Sequence, residues 1–281
     1  MTTHSAVRPQ SSYSFIDRLR FYLRRRLVKV VETSDGERTY TFRCESLIDV
    51  GRARTLLSKE SGTVEWIRSH VKPGQVFYDI GANMGIYTPL AAARVGAAGR
   101  VYAFEPHVAN VHTLLHNVKM NGMDQIVHVM SCALNDKEGY FDFNYYSDVS
   151  GSSNSQLNDS RDGTDKEFRP VLREKKFATT IDSLVESQTI LPAHHIKIDV
   201  DGNEMLILHG MSGLLSGVAR PLSIQIEVNT RYKAELFEFM RTHGFVETAR
   251  HYTMEGKGKL ERGADPEAIS YNAVFSSHRP T

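Results

Sequence analysis

Carboxylates at the ends of apolar runs, and one glycine-bearing turn, are the residues of this 281-residue chain whose types and spacing could do chemistry. The segment 76–88 (VFYDIGANMGIYT) has an apolar run reaching Asp79, a turn from Gly81 through Ala82 and Asn83 to Gly85, and a helix start near Ile86. Gly81 can take backbone angles closed to other residues and lets a ligand approach the main chain. The helix that follows offers free N–H groups to polar ligand atoms. Glu105 ends the next apolar run, 20 residues beyond Gly85. A carboxylate there can accept hydrogen bonds from ribose hydroxyls. Asp199, Asp201 and Glu204 follow a later run, and Glu227 ends another. Such a layout serves a nucleoside-containing ligand.

The glycines narrow the choice. A dinucleotide fingerprint needs G-x-G-x-x-G for close approach to a pyrophosphate. Here the string is G-A-N-M-G, preceded by Asp79. S-adenosylmethionine has no pyrophosphate and carries cationic ammonium and sulfonium groups, which an Asp suits. The missing third glycine disfavours a nicotinamide-dependent oxidoreductase. A non-catalytic nucleoside-binding or interaction module on the same fold stays open, because an intact cofactor turn says nothing about an acceptor.

The elements that must position these residues follow from periodicity. Strand-like runs at Val76–Ile80, Val101–Phe104, Ile126–Met130, Ile196–Val200 and Leu222–Val228 alternate with helical stretches, notably His107–Lys119, Glu204–Leu208 and Lys233–His243. That alternation predicts a mainly parallel sheet covered on both faces. Tyr140–Tyr146 and Ala273–Phe275 predict further strands, the second as an antiparallel edge. Ahead of them, residues 1–12 are polar and aperiodic and are expected to fray. Ile16, Leu19, Leu23 and Leu27 recur at helical spacing opposite Arg18, Arg24, Arg25 and Arg26. This basic amphipathic helix is expected to pack on the main domain with its arginines in water. A hairpin turning at Asp35-Gly36 and a helix over Thr63–His70 come next. Residues 147–166 are rich in Ser, Asn, Asp and Gly, which predicts a flexible loop that closes over the acceptor. The domain reading is an N-terminal extension over 1–60 and a catalytic domain over 61–281.

Composition excludes several classes. Hydrophobic residues make up 41% and charged residues 24%, enough for a sizeable core. Lys plus Arg is 34 against 33 for Asp plus Glu, so a nucleic-acid partner is not expected. Cys44 and Cys132 have no paired spacing and read as reduced thiols of a cytoplasmic protein. Neither a transmembrane segment nor a signal peptide is expected. A homodimer is left open.

Taken together, DIGANMGIY at 79–87, FEP at 104–106, TIDSL at 180–184 and IKIDVDGNE at 196–204 resemble the FkbM family of class I S-adenosylmethionine-dependent methyltransferases. The resemblance runs from Glu65 to Phe275, and departs from the family pattern at Asp201, where Glu is usual. It implies a Rossmann-like α/β fold with a seven-stranded, mainly parallel sheet of order 3-2-1-4-5-7-6, strand 7 antiparallel. It also implies O-methylation of a hydroxyl on a small natural product or sugar. By the same resemblance Asp79, Gly81, Ala82, Asn83 and Gly85 frame the methionine moiety, Glu105 with Pro106 holds the ribose, and Cys132 and Ala133 flank the adenine.

An acceptor hydroxyl must lose a proton, so a base or a metal is useful. Asp199 and Glu227 end neighbouring strands and are the catalytic candidates; two carboxylates so placed repel, which raises at least one pKa. Each is expected to matter for turnover. Lys197 can pair with one of these acids. Mg²⁺ could bridge such oxygens, but Asp199-x-Asp201 is too common a spacing to assign a metal site. His194 and His195 begin their strand, at the edge away from the ligand, and His107 fits a helix start.

Overall fold

Alternation of apolar β-branched residues with helix formers gives an α/β architecture in the computed structural model, which describes residues 14–161, 166–229 and 232–277. The frayed start expected over 1–12 lies outside the described residues. The chain opens with α1 (Phe15–Arg26), then a hairpin of β1 (Lys29–Ser34) and β2 (Thr39–Cys44). The hairpin turns where Asp35 accepts the N–H groups of Glu37 and Arg38, with Gly36 at φ +91. α2 (Leu47–Arg54) begins at a capping box in which the Ser46 hydroxyl and the Asp49 carboxylate each accept the other's backbone N–H. α3 (Ser61–His70) leads into β3 (Val76–Ile80), α4 (Thr88–Val95), β4 (Arg100–Phe104), α5 (Val108–Met120) and β5 (Val127–Met130).

A second, smaller sheet follows, built from β6 (Ala133–Leu134), β7 (Gly139–Tyr145), β8 (Gln156–Leu157) and β9 (Leu172–Thr179) in the order β6-β9-β7-β8. The chain returns to the main layer through α6 (Ile181–Glu186), β10 (His195–Ile198), α7 (Glu204–His209), α8 (Ser212–Ser216) and β11 (Ser223–Val228). It closes with α9 (Lys233–Thr242), β12 (Phe245–His251), α10 (Met254–Glu261) and β13 (Tyr271–Ser277).

The main sheet has the order β5-β4-β3-β10-β11-β13-β12. Counted along the chain, its strands stand 3-2-1-4-5-7-6, and β13 runs antiparallel to both of its neighbours. The 273–275 segment is therefore antiparallel, as expected, but interior. The edge is β12, whose mixed sequence FVETARH gives little strand signal. The order reverses between β3 and β10, and loops leaving the carboxyl ends of strands diverge there to leave a crevice.

Period-two alternation sends side chains to two cores. One face carries Phe77 and Val101 against Trp66, Leu90 and Leu114; the other carries Tyr78, Ile80, Ile196 and Ile226 against Leu208, Leu215 and Met240. The expected extension shares the first core: Tyr40, Phe42, Cys44 and Ala53 pack with Leu114 and Val118. Residue 60 thus marks no break in packing. The expectation that α1 packs on the domain is not met, since Phe15, Ile16, Leu19, Leu23 and Leu27 are exposed. The hairpin packs against α2 and α5. The side chains of Arg24, Arg25 and Arg26 lie outside the described residues.

Candidate active site

At the crevice, the backbone N–H groups of Gly81 and Ala82 both donate to the Phe104 carbonyl at 3.0 Å, which bends the chain sharply after β3. Gly81 sits at φ +76, and a Cβ there would meet the Asp199 carbonyl oxygen at 1.9 Å. Gly85, at φ +79, would place a Cβ 2.4 Å from Leu114. Both glycines therefore serve close packing of the turn on β10 and α5. Asn83 also lies at positive φ, and its N–H donates to Glu105 Oε2 at 2.7 Å.

The turn borders a cleft of about 1200 Å³, its open mouth included. Gly81, Asn83, Glu105, Pro106, Cys132, Ala133, Asp199 and Glu227 all line it, so these expected residues meet at one site. Three others do not reach this lining. Asp79 is buried behind the turn, where its Oδ2 accepts the Thr88 hydroxyl at 2.6 Å, and Gly85 is covered by Leu114. Ala82 borders a smaller adjoining pocket with Tyr87 and Lys197. Asp79 sits on the face covered by α4, because alternation along β3 puts it there with Phe77.

One end of the cleft is an apolar slot walled by Ile80, Phe104, Cys132, Leu134, Phe143 and Leu157. Glu105 stands at its edge, accepting from the His107 N–H at 2.9 Å through Oε1. Burial pushes Glu105 up to about 7 although the His107, Asn83 and Asn110 donors pull it down. His107 itself caps α5, its ring accepting from Asn110 N–H, and its Nε2 lies 2.8 Å from the Ser147 carbonyl.

The other end is polar. Lys197 is paired in register with Asp79 on β3 and Gln225 on β11, and its side chain is 3% exposed. Its Nζ donates to Asp199 Oδ2 at 2.8 Å. Burial works to raise Asp199, but the charge and hydrogen bond of Lys197, the Glu227 hydrogen bond and the Arg52 charge together hold the carboxyl down at about 2. Glu227 goes the other way: burial first, then the charges of Asp199, Asp201 and Glu204, keep it protonated well above the usual range, and it hydrogen-bonds Asp199. The pair is one anion and one neutral acid.

Among the described residues no group of three or more His, Cys, Asp or Glu is placed to hold a metal ion. The Lys197 ammonium already matches the charge of Asp199, which weakens the pull of that carboxylate on a divalent cation. His195 is buried at the start of β10 against Ser223 and Gln75, remote from the cleft lining.

The segment expected to be a flexible loop over 147–166 is instead built into the wall through its first part. Ser150 and Ser152 are buried, Gly151 N–H donates to Asn110 Oδ1 at 2.7 Å, and Gln156–Leu157 form β8. Asn154 N–H donates to Asp201 Oδ2 at 2.8 Å, tying the segment to the loop after β10. Polar side chains here bond to polar neighbours in place of water. Residues 162–165 of that expectation lie outside the described residues.

Sequence reasoning missed the cleft residues Arg52, Lys59 and Glu60 from α2 and its exit, and Thr253, Tyr271 and Asn272 near the C-terminus, while Ser152–Ser155 fall in the 147–166 segment expected to close over the acceptor. Nothing local marks the first group or the last.

Glu204 offers a test of this electrostatic reading. Burial pushes it up from 4.5 to about 7, helped by Asp201 and Asp199, against the Gly202 N–H that it accepts. Below about 4.5 both folded and unfolded chains are protonated, and the stability tied to this group is lost as pH rises through 7. Glu204→Gln, which mimics the neutral form, is expected to stabilise the chain by up to about 3 kcal/mol at pH 8 and far less at pH 5. Thermal melts at the two pH values check it; an equal shift at both would refute the buried, raised carboxyl.

The Methyltransferase FkbM domain family matches residues 79–247, more than half of the chain. The chain belongs to the FkbM methyltransferase family. The match starts at Asp79 and ends within β12, so α2 and β13, which both line the cleft, lie outside it. No curated protein matches the chain. Among solved structures, a putative rRNA-methylase from Clostridium thermocellum is similar at 10% identity over 80% of this chain and 98% of that one, with a TM-score of 0.49. A SAM-dependent O-methyltransferase from Thermotoga maritima is similar at 12% identity over 90% of this chain and 78% of the other, with a TM-score of 0.43. At such identities neither speaks to the substrate of this FkbM methyltransferase. Membership makes the chain a methyltransferase and implies S-adenosylmethionine as its cofactor.

Proposed function

We propose that this FkbM methyltransferase transfers a methyl group to a hydroxyl of a small natural product or sugar. The observation that carries the reading is the Asp199–Glu227 pair lining the cleft beside Glu60, Thr253 and Asn272, with Lys197 hydrogen-bonded to Asp199 from the adjoining pocket. Those side chains suit an acceptor with several hydrogen-bonding groups, and a net charge of +1 favours a small molecule over nucleic acid.

S-adenosylmethionine, when bound, supplies an electrophilic methyl group on a sulfonium. The residues present fit it: an apolar slot for an adenine, the Glu105 carboxylate for ribose hydroxyls, and carboxylates toward a cationic centre. Asp199 would accept a hydrogen bond from the acceptor hydroxyl and aim the oxygen lone pair, a positioning term that can reach several kcal/mol. As the oxygen gains its new carbon bond its proton becomes strongly acidic, so a carboxylate as weakly basic as Asp199 suffices to take it. Glu227, already protonated, donates to Asp199 and keeps it oriented.

The test is release of S-adenosylhomocysteine with polyhydroxylated and amine acceptors, in the presence and absence of a chelator. Methyl ethers formed without added metal are expected. Turnover confined to amines, or restored only by Mg²⁺, would overturn the hydroxyl reading or the metal-free one. In the same assay Glu105→Ala should weaken S-adenosylhomocysteine binding by about 1.5–3 kcal/mol, the scale of a hydrogen bond to a charged group.

A further inference from the structure

Arg52 lies in the last turn of α2, outside the span of the family match, and its guanidinium is held beside the turn that ends β3. Nε donates to the Gly151 carbonyl at 2.8 Å and Nη2 to Ser153 Oγ at 2.6 Å. Asn83 Nδ2 lies 3.5 Å from the same Gly151 oxygen and donates to the Ser152 carbonyl at 2.9 Å. Two side chains converging on one carbonyl are neighbours. Arg52, Gly81 and Asn83 accordingly line both the main cleft and the smaller pocket adjoining it. Nη1, the remaining nitrogen, makes no hydrogen bond among the described residues.

Charge at this end of the cleft is otherwise mostly negative. Asp199, Asp201 and Glu60 line it together with the protonated Glu227, and among the described residues the Arg52 guanidinium is the lining cation that is both fixed and accessible. Lys197 is buried and committed to Asp199; Lys59 is 49% exposed at the rim, 3.9 Å from Glu60. An amino-acid group brings an ammonium that carboxylates welcome and a carboxylate that they repel. A guanidinium, already held by two bonds with donors left over, matches that carboxylate in shape and charge.

The geometry points to Arg52 as the anchor for the carboxylate of the cofactor's methionine moiety. The inference rests on S-adenosylmethionine being the cofactor, and it assigns part of the cofactor site to a helix that precedes the family domain. Orienting that end of the cofactor also sets where its methyl group faces Asp199.

Calorimetric titration of the full chain with S-adenosylhomocysteine and with 5′-methylthioadenosine tests it. The second ligand keeps the adenosine and the thioether and lacks the amino-acid group. Arg52→Met should weaken S-adenosylhomocysteine about 10- to 100-fold and leave methylthioadenosine within about twofold. Arg52→Lys, which keeps the charge and loses the fork, should recover part of the loss, and it carries the test if the Met variant melts below the assay temperature. Equal losses for both ligands would make Arg52 only a brace on Gly151–Ser153 and overturn the anchor, as would no loss for either. Failure of the wild-type chain to bind S-adenosylhomocysteine at all would instead overturn the cofactor reading, and the anchor with it.

Discussion

Asp199→Asn is expected to lower the methyl-transfer rate by at least about a hundredfold, the low end for loss of a positioned proton acceptor. Binding of S-adenosylhomocysteine should change by only a few-fold. The same substitution should cost about 3 kcal/mol of stability, because it strands the Lys197 ammonium, 3% exposed, without its partner at 2.8 Å. Glu227→Gln should behave differently. Glu227 holds its proton at neutral pH, so a glutamine amide can replace its O–H as the donor to Asp199. Its effect on rate is expected to stay below about tenfold. Sequence alone treats the two carboxylates alike; their opposite charge states separate them. Single-turnover rates with thermal melts of both variants decide the matter. Equal rate losses would mean that the two carboxyls act as one unit, and a larger loss in the Glu227 variant that Glu227 meets the acceptor.

Gly81→Ala is expected to be the most damaging small substitution in the chain. Positive φ alone costs an alanine about 1–2 kcal/mol. Here the added Cβ would also lie 1.9 Å from the Asp199 carbonyl oxygen and 3.1 Å from Val200 Cγ1. The turn cannot slide away, because the N–H groups of Gly81 and Ala82 are both committed to the Phe104 carbonyl at 3.0 Å. A loss beyond about 4 kcal/mol places it among the exceptional cases. Gly36→Ala is the control: Gly36 has φ +91 in the hairpin turn, and nothing lies within 4 Å of its Cβ position. It should cost only the conformational term. Denaturant midpoints measure both, and similar values would show that the β3–β10 approach is looser than the structure has it.

The sequence by itself determined the strands and the turn that organise the site. Val76–Ile80 is a strand because, Asp79 apart, its residues are β-branched and aromatic, and Gly81 ends it because only glycine accepts that backbone angle so near the Asp199 main chain. The same local rules put Glu105, Asp199 and Glu227 at strand ends, and hence at one crevice. What those rules could not decide was the side on which each residue works. Asp79 and Gly85 belong to the most legible motif, yet alternation turns the first behind the sheet, and Leu114 covers the second. Arg52, Glu60, Thr253 and Asn272 reach the cleft from segments far apart in sequence, and β12 joins the sheet only because β13 offers it an edge. Charge state was likewise a tertiary outcome. Lys197 is ion-paired and buried because register sets it between Asp79 and Gln225, and its field makes Asp199 an anion while Glu227 stays neutral. Backbone conformation follows from sterics between near neighbours in the chain. Which side chains meet, and which keep their protons, follows from through-space packing and burial.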